Sequence, residues 1–335
     1  MAETRKNQTL KTSPRKGAIS GLVGLVLFGL VLIGCFLTLP YTLGIVDVSG
    51  NAEHRYEAGN LQLNLLPPEY ELSSSEHDRI DESQAAGQFV PNLVLGSDKM
   101  GRSLLSRLLL GGTVSLGIGL AAAFISVLIG TIYGATAGYL GGRADTVLMR
   151  LVDILYGLPY ILLVVLISVA ADGVISRAGL DPSSASRQVI NVLTLLVAIG
   201  GIGWLTTARV VRGQVLSLRE QPFMEACRAL GVPPRRQFAQ HLLPNLVGPI
   251  IVYGTLAVPA AILSESFLSF LGIGVQEPLP SWGNLASQGL NELNTVKSRW
   301  WLLVWPCVLI AITLVSLNLL GDRLKARFDP VHGSP

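Results

Sequence analysis

Six apolar segments set the terms for this chain. They run over about 18–39, 112–140, 148–171, 189–211, 246–272 and 301–320. Each reaches the ~20 residues that a helix needs to cross a hydrocarbon core about 30 Å thick. They are rich in Leu, Val, Ile, Gly and Ala and show no strict polar alternation, a pattern for helices and against barrel strands of about ten alternating residues. Half of the chain is hydrophobic and only 14% is charged, against roughly 25% in soluble domains, which leaves too few charges to cover a water-facing surface. The expected fold class is all-α, a polytopic membrane protein with six transmembrane helices.

Charge placement gives an expected orientation. Arg5, Lys6, Lys11, Arg15 and Lys16 precede the first span and should hold the amino terminus in the cytoplasm; six crossings then leave both termini there. The chain divides into a cytoplasmic tail (1–17), a first transmembrane helix (18–40), an external and partly irregular segment (41–95), a transmembrane domain (96–322) carrying a polar hairpin at 213–245, and a second cytoplasmic tail (323–335).

Cys35, Cys227 and Cys307 are far apart, as are the four histidines; neither set has the spacing of a disulfide framework or a zinc site. "LIGC" at 32–35 has the look of a bacterial lipoprotein cleavage box, but the apolar run continues to Leu39, and an ordinary first span is the expectation. Asp98 precedes a helix in which Leu104, Leu105, Leu108 and Leu109 form one face, with Arg102 and Arg107 elsewhere. Such a helix could lie at the membrane interface or against a core.

The polar hairpin is the most informative stretch. "REQPFMEACRAL" has no interior breaker after Pro222, and a first helical turn tolerates proline; acids near its start are favourable against the helix dipole. Phe223, Met224, Cys227 and Leu230 recur at helical spacing. Gly231 follows, the residue type that ends helices by accepting a positive φ; "VPPRR" turns the chain, and "RQFAQHLLP" leads into the fifth span. Ala226 and Ala229 permit close approach by another backbone. A solvated connector would waste this apolar face, and exposed apolar patches mark binding sites.

Glu225-Ala226, then Gly231, then nine residues, then His241-Leu242-Leu243-Pro244 resembles the EAA signature of ABC-type importer permeases. Cys227 replaces the usual third-position alanine, a small and nearly apolar exchange, and His241 stands where the general pattern has Ile, as in the peptide-importer branch. "LGSDKMGRSLLSRLLLGGTVSLGIGL", "AGYLGGRADTVLMRLVDILYGLPYILL", "LSESFLSFLGIGVQEPLPSWGNL" and "NLLGDRLKARFDP" are similar to further segments of the peptide/nickel family, C-type half, over roughly 95–330.

The resemblance implies a type I ABC importer permease in a bacterial inner membrane. It further implies a short helix that docks in an ATPase cleft, with Phe223, Met224 and Leu230 as apolar anchors and Glu225 paired to a basic residue. Ala226, Cys227, Ala229, Gly231, Leu243 and Pro244 complete that coupling element. The implied partners are a second permease subunit, two ABC ATPase subunits, an extracytoplasmic solute-binding protein and membrane lipid, with no nucleic acid. No GxxxxGK[ST] phosphate loop occurs in the sequence, so ATP and Mg are expected on the partner chains, and neither catalytic nor metal-binding residues are expected here. Di- or oligopeptides are the implied cargo, with nickel, glutathione or another peptide-like solute as alternatives.

Charges inside the spans are costly and rarely idle. Glu265 in the fifth span costs at least ~2.5 kcal/mol if ionised at mid-bilayer. It is either a pathway or gating group or a satisfied contact, with Ser264 or Ser266 and an arginine from another helix. Arg150 and Asp153 could pair within one turn, and Arg209 and Arg212 should snorkel at the end of the fourth span. An ion-coupled secondary transporter is the rival reading; Glu265 and Pro259 suit it, but it leaves the hairpin unexplained.

Overall fold

The computed structural model describes residues 14–48, 50–177, 185–293 and 298–328. The outer part of each expected tail and part of the link between the third and fourth expected spans therefore lie outside the described residues. Helix α1 (Pro14–Leu37) begins inside the expected amino-terminal tail, with proline in its first turn, and continues after a break into α2 (Leu39–Thr42). Next come a hairpin of β1 (Ile45–Val48) and β2 (Asn51–His54) and helix α3 (Ser74–Ala85). The membrane domain follows with α4 (Leu104–Leu140), α5 (Gly142–Tyr156), α6 (Tyr160–Arg177) and α7 (Ala185–Arg219). A short helix, α8 (Pro222–Ala229), leads through α9 (Pro234–Arg236) and a π-helical turn at Gln237–Leu242 into α10 (Leu243–Phe270). The described chain ends with α11 (Trp282–Asn291) and α12 (Trp300–Phe328).

Among the described residues, five helical stretches are long and apolar enough to cross a membrane: Ser20–Thr42, Leu104–Leu140, Ser186–Arg219, Pro234–Phe270 and Trp300–Phe328. The third expected span, 148–171, is not one straight helix. It is the pair α5 and α6, bent by 81°. The cause stands in the sequence as Gly157-Leu158-Pro159: Pro159 has no N–H to continue the ladder, and it pushes Leu158 out of the helical region.

The second span also departs from expectation. No separate interfacial helix precedes it, because α4 runs unbroken for 37 residues from its cap at Ser103. Leu104 and Leu108 are buried, and Arg107 is buried with them. Segment 41–95 is more ordered than expected. Its hairpin pairs Ile45 with His54, α3 carries a Ser73/Glu76 capping box, and Leu63, Leu66 and Leu93 form a small core. Ser97 locks this layer by donating to the Leu63 carbonyl at 2.6 Å and accepting from the Leu66 N–H at 2.8 Å.

Small residues bring the long helices together, as membrane interfaces require where apolar burial gives no net drive. Gly130, Gly134 and Gly138 form a stripe on α4, and a Cβ on Gly134 would stand 2.3 Å from the Ala208 carbonyl of α7. One apolar cluster joins α4, α5, α6, α7 and α10. A second joins α1, α4, α10, α11 and α12 around Trp282, whose indole N–H donates to the Leu108 carbonyl at 3.0 Å. Cys35 belongs to the second cluster, in the last turn of α1, and its carbonyl accepts from Thr113 at 3.0 Å.

Candidate functional site

The hairpin lies at the end of the bundle where α4, α7 and α10 finish or begin, opposite the end covered by segment 41–103. Gln221 is extended, Pro222 takes the first turn of α8, and Glu225 lies in that turn. The other end closes with two reciprocal bonds: Val232 N–H to the Cys227 carbonyl at 3.0 Å and Gly231 N–H to the Arg228 carbonyl at 3.1 Å. This is the Schellman arrangement, and it needs the φ of +70° that Gly231 adopts.

The two faces of α8 differ sharply. Met224, 1% exposed, and Cys227 turn inward, three residues apart and so on the same side. Met224 packs with Ala135 of α4, Val211 and Val215 of α7, and Leu242 and Leu246 of the returning limb. The expectation that Met224 anchors a partner is corrected here, because its side chain is used up in holding α8 to its own domain. The outward face carries Phe223, Glu225, Ala226, Ala229, Leu230 and Gly231, all exposed, with Leu230 at 81%.

Polar bonds hold the rest of the hairpin. The Tyr139 hydroxyl donates to the Pro234 carbonyl at 2.6 Å, and its ring meets Phe238 edge-on at 5.2 Å. Gln237 donates to the Val232 carbonyl at 2.6 Å, and Arg219 to the Gly138 carbonyl at 2.7 Å. Arg228 donates to the Arg219 carbonyl. The π-helical turn ends just before Pro244: the Leu243 N–H reaches back five residues to the Phe238 carbonyl, a wider turn that makes room for a proline ring. Leu243 and Pro244 are exposed and stand outside the Met224 cluster.

On the same side of the bundle, Arg212 grips Asp145 through two bonds of 2.5 and 2.6 Å. Arg209 pairs with Asp153 at 2.7 Å, its guanidinium 4.1 Å from the centre of the Tyr156 ring. The expected Arg150–Asp153 pair is thus replaced by a bond between α5 and α7. These contacts brace α5, the first half of the broken span.

Glu265 is completely buried. Ser269 donates to it at 2.7 Å and Ser266 at 3.3 Å, with the hydroxyls of Ser115 and Ser281 also in hydrogen-bonding contact. Three of these hydroxyl oxygens already accept backbone N–H groups, from Val275, Trp282 and Asn284, so their protons are free to face the carboxyl. Ser264 instead bonds Tyr160 and the Ala260 carbonyl. The described contacts of Glu265 include serines and no arginine.

The opposite end of the bundle holds a charge network that the sequence reading did not find. Arg102 bonds Asp98 at 2.7 Å and Glu277 at 3.1 Å, and Arg107 reaches the same Glu277 at 3.2 Å. Burial pushes the Glu277 carboxyl up, but the two guanidiniums outweigh it and leave it below the usual carboxylate range. Lys99 bonds Glu292 at 2.9 Å, and Arg299 bonds it as well. The Lys99 bond and, after a counteracting burial effect, the two positive charges hold Glu292 low too. The i, i+4 pair of Asp98 and Arg102 was legible; Glu277, 175 residues away, was not.

A multi-pass helical bundle with a locked helix–turn–helix at one end is the class of membrane protein that the fold defines. The family described as binding-protein-dependent transport system inner membrane component matches residues 126–331, more than half of the chain. The chain is 43% identical over 235 residues to the oligopeptide transport system permease protein OppC of Haemophilus influenzae, covering 70% of this chain and 69% of that one. It is equally similar to the dipeptide transport system permease protein DppC of Bacillus subtilis, with 70% and 68% covered, and to OppC of Escherichia coli, with 70% and 71% covered. The chain belongs to this family of inner-membrane permeases of ABC transporters. It is a transport subunit and not itself an enzyme.

Proposed function

We propose that this chain is one transmembrane half of an ATP-driven importer for di- or oligopeptides, and that α8 is the handle through which ATPase subunits move it. The observation that carries this reading is the division of α8. Its inner face, Met224 and Cys227, is fixed in the bundle, while Phe223, Glu225, Ala226, Ala229 and Leu230 face outward with nothing of the described residues over them. A helix bound on one side only transmits a push on its free side to α4, α7 and α10 instead of folding away from it. Leu243 and Pro244, exposed on the returning limb, extend the same surface.

The peptide cargo follows the names of the relatives, oligopeptide and dipeptide transport permeases. The remaining parts of the machine are a second permease subunit, two ATPase chains that carry ATP and Mg, and an extracytoplasmic binding protein that selects the solute. The positive residues ahead of the first span and around the hairpin support a cytoplasmic placement of both termini and α8. In this reading Glu265 is structural: it gathers hydroxyls from α4, α10 and the cap of α11 into one buried contact. Closure of the ATPase pair then rocks the bundle between inward- and outward-open states.

Copurification tests the handle. Glu225→Lys and Leu230→Asp should each release the ATPase from the membrane complex while the permease stays folded, since both side chains are exposed. Retention of the ATPase by both variants, or uptake driven by a proton gradient without ATP, would favour an ion-coupled carrier instead.

A further inference from the structure

At the end of the bundle opposite α8, segment 41–103 leaves a cavity of about 200 Å³ between the first and second spans. Its wall includes Tyr41, Arg55, Phe89, Asn92, Ser103 and Ser106. Arg55 is the single ionised group among the lining residues, and no carboxylate is among them. Its backbone is pinned by a 2.9 Å bond to the Gly44 carbonyl, and its guanidinium lies 4.4 Å from the centre of the Tyr41 ring.

Two donors of residues lining this cavity have no partner among the described residues. The Arg55 Nε is buried and unbonded, and so is the Oγ of Ser106, a residue with no exposed surface. Buried polar groups in folded proteins are almost always partnered, and an orphaned donor costs more when it is charged. The arginine charge beside the capped amino-terminal end of the 37-residue α4 gives this wall positive potential, and the unbonded Arg55 Nε and Ser106 Oγ can each donate. A phosphate oxyanion fits that chemistry: arginine binds phosphate oxygens through its donor fork, and a helix start adds positive potential.

The place of the cavity says what would carry the phosphate. Tyr41 lies one residue from the end of the first membrane-crossing stretch, at the depth where amphipathic rings meet headgroups, and Phe89, Val90 and Pro91 give the wall an apolar side. We propose that this cavity binds the phosphate of a phospholipid headgroup, with Arg55 Nε and Ser106 Oγ as donors, so that one lipid joins segment 41–103 to the membrane domain. The same chemistry would accept free phosphate, and the rival occupant is water, since the volume equals that of several molecules at about 30 Å³ each.

The test uses the full chain in its membrane complex, purified without phosphate buffer, with bound phospholipid counted by native mass spectrometry during stepwise delipidation. The wild type should keep one phospholipid that Arg55→Gln loses, with occupancy falling about tenfold for the lost charged bond and severalfold in Ser106→Ala. Ser106→Ala removes a hydroxyl that bonds nothing among the described residues, so it tests binding without threatening the fold; Arg55→Lys should keep part of the lipid. A second arm adds inorganic phosphate to the delipidated complex. If phosphate raises the melting midpoint of the wild type and not of Arg55→Gln while no lipid is retained, the anion site stands with free phosphate in it. Equal lipid retention and equal phosphate response in the wild type and both variants would overturn the proposal and leave water as the occupant.

Discussion

The Tyr139 hydroxyl bonds the Pro234 carbonyl at 2.6 Å across 95 residues of sequence, tying the end of α4 to the far limb of the hairpin. With Met224 buried beneath α8, it makes the hairpin a part of the bundle and not a loop hung from it. A force applied to α8 therefore reaches the spans.

Tyr139→Phe should loosen this tie without unfolding the protein. A single neutral hydrogen bond contributes about 1 kcal/mol, so amide exchange at 232–242 should speed up roughly fivefold, with the rest of α4 unchanged. Exchange that stays at the wild-type rate would show that the bond contributes nothing to the hairpin.

Gly231 reports on the turn alone. A Cβ there would meet nothing within 4 Å, so any cost of substitution comes from the φ of +70°, about 1–2 kcal/mol for residues other than Gly and Asn. Melting midpoints should fall in the order Gly, Asn, Ala, Val at this position. If Val matched Gly, the turn would not be holding α8 as described.

Glu265 separates a structural from a pathway role. Glu265→Gln keeps the volume and an acceptor for the serines and should cost little, whereas Glu265→Ala leaves a cavity and orphaned hydroxyls, about 2–4 kcal/mol. Uptake should follow thermal stability across the two variants. Loss of uptake in Glu265→Gln at unchanged stability would place the carboxyl in the transport path.

The carboxylates of Glu277 and Glu292 set a pH response at the end away from α8. Both are held below the ordinary carboxylate range, so the unfolded chain takes up their protons first as pH falls. Their stabilisation is complete above the ordinary glutamate value, roughly 4.3, and fades only as pH drops through the lowered folded values. Between pH 7 and 5 these groups should leave the melting midpoint unchanged; from pH 4.5 to 3 the wild type should lose more than Glu292→Gln, which has no such proton to gain.

Local signals were readable and partner choices were not. Pro222 and Gly231 mark the ends of α8 because first-turn proline and left-handed glycine are rules of the residues themselves. Which apolar side of α8 would be buried depended on where α4, α7 and α10 end, and an eight-residue helix does not encode that. The bend in the third span stood in Gly157-Leu158-Pro159, outweighed by the apolar length around it. The early start of α4 was hidden by Arg102 and Arg107, which read as solvent-facing until Glu277 folds back onto them. The core of Leu63, Leu66 and Leu93 has no periodicity to reveal it.

Cysteine accessibility on α8 tests the central claim most directly. With the native cysteines replaced by alanine, Leu230→Cys should react with an aqueous maleimide in the isolated chain and be protected in the assembled, ATPase-bound transporter, while Met224→Cys should resist labelling in both. Equal labelling of Leu230→Cys with and without the ATPase, in an assembly that still transports, would contradict the account.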